Sequence, residues 1–199
     1  MSGCEFAKIL LKGRQLIMTF DDLFSFAGKH SPSFAGVQEY QELQHIFNLI
    51  QGCESYLEIG TAEGCSMYVL AHALKEGAKI TSVDLGERHT IPYKSEVVKI
   101  LSPKYDIGIF HGDSMDKMTY PNKKPHDVVL IDGGHDYDTV LSDANMYGGL
   151  ATKYLLFHDV KLPEVKRAIV KYLENRTEKY YEFINSDNFG FGILEVCNG

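Results

Sequence analysis

The chain has 199 residues, 44% of them apolar, and a formal charge of -7 at pH 7. That length supports one substantial core rather than two, and the acidic balance disfavours nucleic acid or an anionic membrane, partners normally met by a basic stripe, leaving small molecules as the expected substrates. Cys4, Cys53, Cys65 and Cys197 form no C-x-x-C pair, which argues against a zinc knuckle or disulfide framework, and no run reaches the ~18 apolar residues of a membrane span.

The N-terminus also lacks the charged, apolar and small-residue order of a signal peptide, so a soluble cytoplasmic protein is expected. Residues 1–36 read as an N-terminal extension. Within it, residues 19–36 look irregular, with Phe20, Phe24, Phe26 and Phe34 among Gly, Ser and Pro. A lid is one role for this segment. Packing of the phenylalanines onto the core is the favoured one, because aromatic residues are chiefly core material.

From residue 37 onward, short apolar runs alternate with helical periodicity, the pattern of a mostly parallel sheet covered on both faces, so residues 37–199 form one α/β domain. Val37, Tyr40, Leu43, Phe47 and Ile50 recur at helical spacing before a first strand at 56–59. A helix at 65–76 follows, then a strand at 79–83, a loop at 85–92 open to structural or functional roles, and a helix at 94–101. Strands at 107–110 and 128–131 come next. Val140, Leu141, Ala144 and Tyr147 mark a helix that Gly148-Gly149 can end in a left-handed conformation. A fifth strand at 154–157 precedes a helix opened by Pro163, with Val165, Ala168, Ile169, Tyr172 and Leu173 on one face. Residues 180–184 and 191–196 read as a closing hairpin.

In open α/β sheets ligands gather beyond the carboxyl ends of the strands. Five such ends carry polar residues: Glu58-Ile59-Gly60, Asp84, Gly112-Asp113-Ser114, Asp132-Gly133-Gly134-His135 and His158-Asp159. The first runs into Thr61, Ala62, Glu63, Gly64 and Ser66, a close-approach glycine turn that opens a helix. A pyrophosphate over that helix start would be repelled by Glu58 and Glu63. S-adenosylmethionine, with a sulfonium, an ammonium and no phosphate, fits better than NAD or ATP. Asp84, with Leu85 beside it, can accept both ribose hydroxyls of an adenosine. Asp113 and Ser114 suit the adenine amino group, although Asp113 equally suits a cap on the turn after it. His135 stands three residues beyond Asp132, a titratable base about one turn from a carboxylate. The remaining histidines lack such a context.

These residues together resemble the class I S-adenosylmethionine-dependent methyltransferases. Within that family they resemble the small metal-dependent O-methyltransferases of the macrocin and mycinamicin sugar-modifying type and their cephalosporin-hydroxylase-like relatives. The similarity runs from about residue 37 to residue 196. It rests on Leu57-Glu58-Ile59-Gly60-Thr61 with Gly64 and Ser66, on Val83-Asp84, Gly112-Asp113-Ser114 and Leu130-Ile131-Asp132-Gly133-Gly134-His135-Asp136-Tyr137, and on Phe157-His158-Asp159-Val160. It implies a Rossmann-like seven-stranded sheet with an antiparallel last strand, and a cofactor over strands one and two with its methionine half at Gly60. It also implies a divalent cation, Mg²⁺ by preference, at Asp132 and Asp159 between the ends of strands four and five. His158 stands where the family places an acidic residue, and an imidazole ligand there favours Mn²⁺, Fe²⁺ or Zn²⁺.

The expected reaction is metal-assisted methylation of a small-molecule hydroxyl (sugar, phenol or other natural product), with His135 taking the proton. Two alternatives stand beside it: a non-catalytic module binding S-adenosylmethionine or a nucleoside, and an NAD-dependent oxidoreductase that shares Asp84. The helix before strand one and the N-terminal extension offer surface for a homodimer.

Overall fold

The computed structural model describes residues 18–31, 39–87, 89–185 and 189–196. Helices α1 (Phe20–His30) and α2 (Tyr40–Leu49) lead into β1 (Ser55–Ile59). The chain continues through α3 (Cys65–Ala71), β2 (Lys79–Asp84), α4 (Ile91–Leu101), β3 (Asp106–His111), β4 (His126–Ile131), α5 (Tyr137–Tyr147), β5 (Ala151–Phe157), α6 (Pro163–Leu173), β6 (Lys179–Phe183) and β7 (Phe191–Glu195). One seven-stranded sheet results, ordered β3-β2-β1-β4-β5-β7-β6. Strands β1 to β5 pair in parallel, and β7 runs antiparallel to both β5 and β6. The expected fold class, the closing hairpin and the antiparallel last strand are all present.

The strands are apolar on both faces because both faces are covered. Alternation along β1 sends Tyr56 into a core shared with α1 to α4 and Leu57 and Ile59 into a second core shared with α5 and α6. The bare backbone at each strand end extends the ladder by one residue. Gly60 N donates to Val83 O, Asp132 N to Ile59 O and His158 N to Ile131 O, at 2.9, 2.9 and 3.1 Å. Gly60, Asp132 and His158 therefore stand level on one rim.

Three local expectations are corrected. Residues 20–30 are helix rather than irregular chain: Thr19 and Asp22 close a reciprocal capping box, and Leu23 and Ala27 bury one face. The helix after β1 ends at Ala71, not residue 76, because the next turn tightens into i→i−3 bonds from His72, Ala73 and Leu74. Gly148 is right-handed, with φ -60, and starts a 3₁₀ turn, Gly148–Leu150. Its lack of a side chain is required by packing, since a Cβ would collide with the Tyr172 hydroxyl. Phe34, Val37, Cys4 and Cys197 lie outside the described residues. Among those described, no helix is long and apolar enough to cross a membrane.

Candidate active site at the carboxyl ends of the parallel strands

Alternation places Glu58 on the same face as Tyr56, beneath the rim rather than on it, and the side chain is fully buried. Ser66, in the first turn of α3, donates its hydroxyl to Glu58 Oε1, while Oε2 has no hydrogen bond of good geometry among the described residues. Burial pushes the carboxyl up to about 8 against the opposing pull of Ser66, with Asp132 raising it further. At neutral pH it is mainly protonated. This corrects the expectation of a negative Glu58 facing the ligand: it is a neutral acid that fastens α3 to β1. Glu63 accepts a hydrogen bond from the Ser31 hydroxyl at the end of α1.

The turn between β1 and α3 is shaped by close approach. Gly60 has φ 88, and any Cβ there would collide with the Asp132 carbonyl; Gly64 caps α3 at φ 85. Ala62 is held at φ 45, a costly conformation for a residue with a side chain. Asp84 Oδ2 fixes it by accepting from Ala62 N at 2.8 Å. Asp84 Oδ1 accepts from Gly86 N at 2.8 Å and from the Lys94 ammonium. Burial opposes the charge on Asp84, but Lys94 and the two amides outweigh it and hold the carboxyl below its ordinary range. Three of about four acceptor positions are thus engaged, and Oδ2 keeps the remaining capacity.

Lys94 was not singled out from the sequence, yet it is only 2% exposed. A signal existed: it shares the inward stripe of α4 with Val97 and Leu101, and a cation on an apolar stripe needs a buried partner.

Beyond β3, Asp113 Oδ1 accepts from Met115 N at 2.9 Å, so the capping role expected as one alternative is present. The Ser114 carbonyl accepts from the Tyr147 hydroxyl at 2.7 Å, tying this loop to α5. Leu85, just after β2, and Met115, in this loop, are exposed.

The ends of β4 and β5 bring together Asp132, His158, Asp159 and His135. His158 Nδ1 lies 3.0 Å from Asp132 Oδ1 and 3.3 Å from Asp159 Oδ2, and His135 Nε2 lies 2.9 Å from Asp159 Oδ2. Ligand atoms of Asp132, His158 and Asp159 all fall within 4.8 Å of one another. Burial opposes charge on His158, but the two aspartates overcome it and raise the ring to about 10. Burial also works against charge on Asp159, and His135 and His158 reverse this, holding the carboxyl far below its usual range. The hydrogen bond to Asp159 raises His135. Asp159, like Ala62, has a positive φ, 57. Phe189 and Phe191 flank the His158 ring, and its Nε2 is buried without a partner among the described residues.

A sheet in this strand order, with a strained glycine turn after β1 and a carboxylate at the end of β2, defines the Rossmann-like class I methyltransferase fold. The chain belongs to the methyltransferase domain family, whose profile it matches over residues 57–160, just over half of its length. No curated protein sequence matches it. Solved structures do. The O-methyltransferase TomG from Streptomyces achromogenes, involved in tomaymycin synthesis and solved with SAM, superimposes with a TM-score of 0.68 at 16% identity, covering 98% of this chain and 99% of that one. An O-methyltransferase from Bacillus cereus in complex with SAH gives 0.64 at 16% identity, covering 97% and 96%. The SAH-bound methyltransferase PaMTH1 from Podospora anserina gives 0.68 at 11% identity, covering 95% and 93%. Likeness at these identities establishes the fold.

Proposed function

We propose that this methyltransferase uses S-adenosylmethionine to methylate a hydroxyl of a small molecule, with a divalent cation held by Asp132, His158 and Asp159. The observation that carries the reading is the rim itself. The glycine turn after β1 and the carboxylate–imidazole group after β4 and β5 are joined by the bond from Asp132 N to Ile59 O, so a methyl donor and a hydroxyl acceptor can meet at adjacent strand ends.

The donor set fits a cation. Two carboxylates and an imidazole converge, and Asp132, Asp159 and His158 would hold the ion once His158 Nδ1 gave up the proton it donates to the two carboxylates. The imidazole favours Mn²⁺, Fe²⁺ or Zn²⁺ over Mg²⁺ at this position. When bound, the cation supplies a Lewis acid that lowers the pKa of an acceptor hydroxyl. The cofactor supplies the methyl group. Asp84 Oδ2 would hold its ribose, and the Gly60 turn, where backbone can approach closely, would hold its methionine half.

His135 is the base of the reading. Its ring is half-exposed, open to an incoming acceptor, and its proton is retained chiefly by Asp159. Once Asp159 is engaged elsewhere, Nε2 loses the partner that favours the charged ring and is free to take the acceptor proton. Neutral Glu58 no longer argues against a phosphate, and it is family membership that sets NAD chemistry aside.

The test pairs binding with turnover. S-adenosylhomocysteine titrated by calorimetry should bind wild type and Asp159→Ala alike, because Asp159 lies on the acceptor side of the rim. Mn²⁺ binding by electron paramagnetic resonance, and metal-stimulated methyl transfer, should be lost in Asp159→Ala. Equal turnover with and without metal in both proteins would remove the cation. Tight cofactor binding with no transfer to sugar, phenol or polyketide hydroxyls would favour a binding module.

A further inference from the structure

Asp143 breaks the pattern of the helix that carries it. Val140, Ala144 and Tyr147 line the face of α5 that packs on the sheet, and Asp143 shares that buried face with 0% exposure. Among the described residues neither carboxyl oxygen has a hydrogen bond of good geometry, and the Ser114 hydroxyl is the polar group that stands against it. Buried polar groups are nearly always paired, and leaving one unpaired is destabilising, so an apolar residue would serve the packing better. The surroundings suggest why a carboxyl stands there. A Cβ on Gly133, just past Asp132, would lie 3.3 Å from Asp143 Oδ2, so the absence of a side chain opens the way to the carboxyl. The Ser114 hydroxyl is the neighbour that favours its ionised form. One turn further along α5, Tyr147 holds the Ser114 carbonyl at 2.7 Å and fixes that loop over Asp143. Asp143 therefore lies beneath the gap between the loops that follow β3 and β4.

That gap is where a nucleoside base would fall. In the order β3-β2-β1-β4, a ribose at Asp84 and a methionine half at Gly60 leave the base at the loop after β3. The exposed side chains of Leu85 and Met115 offer apolar surface for a flat ring there.

We infer that Asp143 is a positioning residue for cofactor recognition: its carboxylate takes the Ser114 O–H, which turns the hydroxyl's lone pairs outward to accept from the 6-amino group of adenine. A serine without that partner can rotate and donate instead, and would then accept a 6-oxo base equally well. The Asp143–Ser114 pair makes the site an acceptor only. It thereby selects an amine over a carbonyl, in the way a site built around one hydrogen-bonding sense rejects the other.

The inference rests on the proposed adenosyl cofactor, and the experiment separates the two. S-adenosylhomocysteine and S-inosylhomocysteine, which differ in the 6-substituent, are titrated by calorimetry into wild type, Asp143→Leu, Asp143→Asn and Ser114→Ala. Wild type should prefer the adenosyl ligand by about tenfold or more. Asp143→Leu and Ser114→Ala should bring the two affinities to within about threefold, while Asp143→Asn, which keeps one acceptor oxygen, should restore part of the preference. Asp143→Leu should fold with a melting temperature close to that of wild type, since an apolar side chain of similar volume replaces a carboxyl whose burial is itself unfavourable. An Asp143→Leu protein that retains the wild-type preference would overturn the role of Asp143. Wild type binding neither ligand would overturn the cofactor assignment itself.

Discussion

Glu58 shows how far a side chain's chemistry depends on what folds around it. The sequence places a carboxylate at the end of an apolar strand, which is legible, but whether that carboxyl is charged depends on α3 closing over it, which is not. Its pKa stands at about 8 in the folded chain against an ordinary 4.5. The folded state holds the proton more tightly, so there is no penalty below pH 4.5. A penalty then grows from pH 4.5 to pH 8 and stays constant above. By pH 7 it is on the order of 3 kcal/mol, at about 1.4 kcal/mol per unit. Glu58→Gln keeps an acceptor for Ser66 and never ionises. Urea unfolding should give wild type and Glu58→Gln similar stability near pH 4.5 and a growing advantage for the variant up to pH 8. Parallel stability curves across that range would mean the carboxyl is solvated. Lys94 was missed for a related reason: its partner Asp84 lies on another element, and only the packing of α4 beside β2 makes the pair. The rim residues Gly60, Asp84, Asp132, His158 and Asp159 were legible because strand ends in a parallel sheet are adjacent by topology, whatever the loops do.

Among the elements, the strands and α6 were readable because their apolar periodicity is strong, whereas α1 was hidden by composition. Ser25, Gly28 and three phenylalanines disguise a short amphipathic stripe, and the cue at its start is a Thr-x-x-Asp box rather than the commoner Glu or Gln form. In the structure the Thr19 hydroxyl accepts from Asp22 N at 3.2 Å, and Asp22 Oδ2 accepts from Thr19 N at 3.0 Å and from Thr19 Oγ1 at 2.8 Å. Phe20 and Phe24 meet Tyr40 of α2 edge-on, each at 5.1 Å between centroids. Phe20, Phe24 and Phe26 are partly buried and pack against the core. Thr19→Ala should cost about 1 kcal/mol, seen as a lower urea midpoint with an unchanged slope, while Thr19→Ser should match wild type. No loss in the alanine variant would mean that packing against α2 and α3 alone holds α1. Gly148 gives the complementary lesson. A Gly-Gly pair after a helix reads as a left-handed stop, but here the constraint comes from Tyr172 on α6, a neighbour that local sequence cannot announce.

Across the whole molecule, the acceptor side of the rim is held by a residue far from it in sequence. Glu42 of α2 is fully buried, and its carboxylate accepts from Asn185 N at 3.0 Å and from Gly190 N at 2.9 Å, at the two ends of the β6–β7 connection. Gly190 O in turn accepts from Val160 N, and the neighbouring Phe189 stacks over His158. A helix that precedes β1 thus braces the hairpin that walls in the proposed cation ligand, while the cofactor turn after β1 is braced separately by Asp84. Glu42→Ala strands two backbone donors, at a cost of about 1–3 kcal/mol for buried Gly190 and less for exposed Asn185. Hydrogen exchange should speed up first at the amides of Asn185 and Gly190. If the two halves of the rim are braced independently, Mn²⁺ affinity should fall in Glu42→Ala while S-adenosylhomocysteine affinity, measured well below the melting temperature, stays within about twofold of wild type. Glu42→Gln, which keeps one acceptor oxygen, should fall between the two. Equal losses of both affinities would mean that the hairpin and the glycine turn yield together, and that the rim behaves as a single unit whose cofactor and acceptor sides cannot be tuned apart.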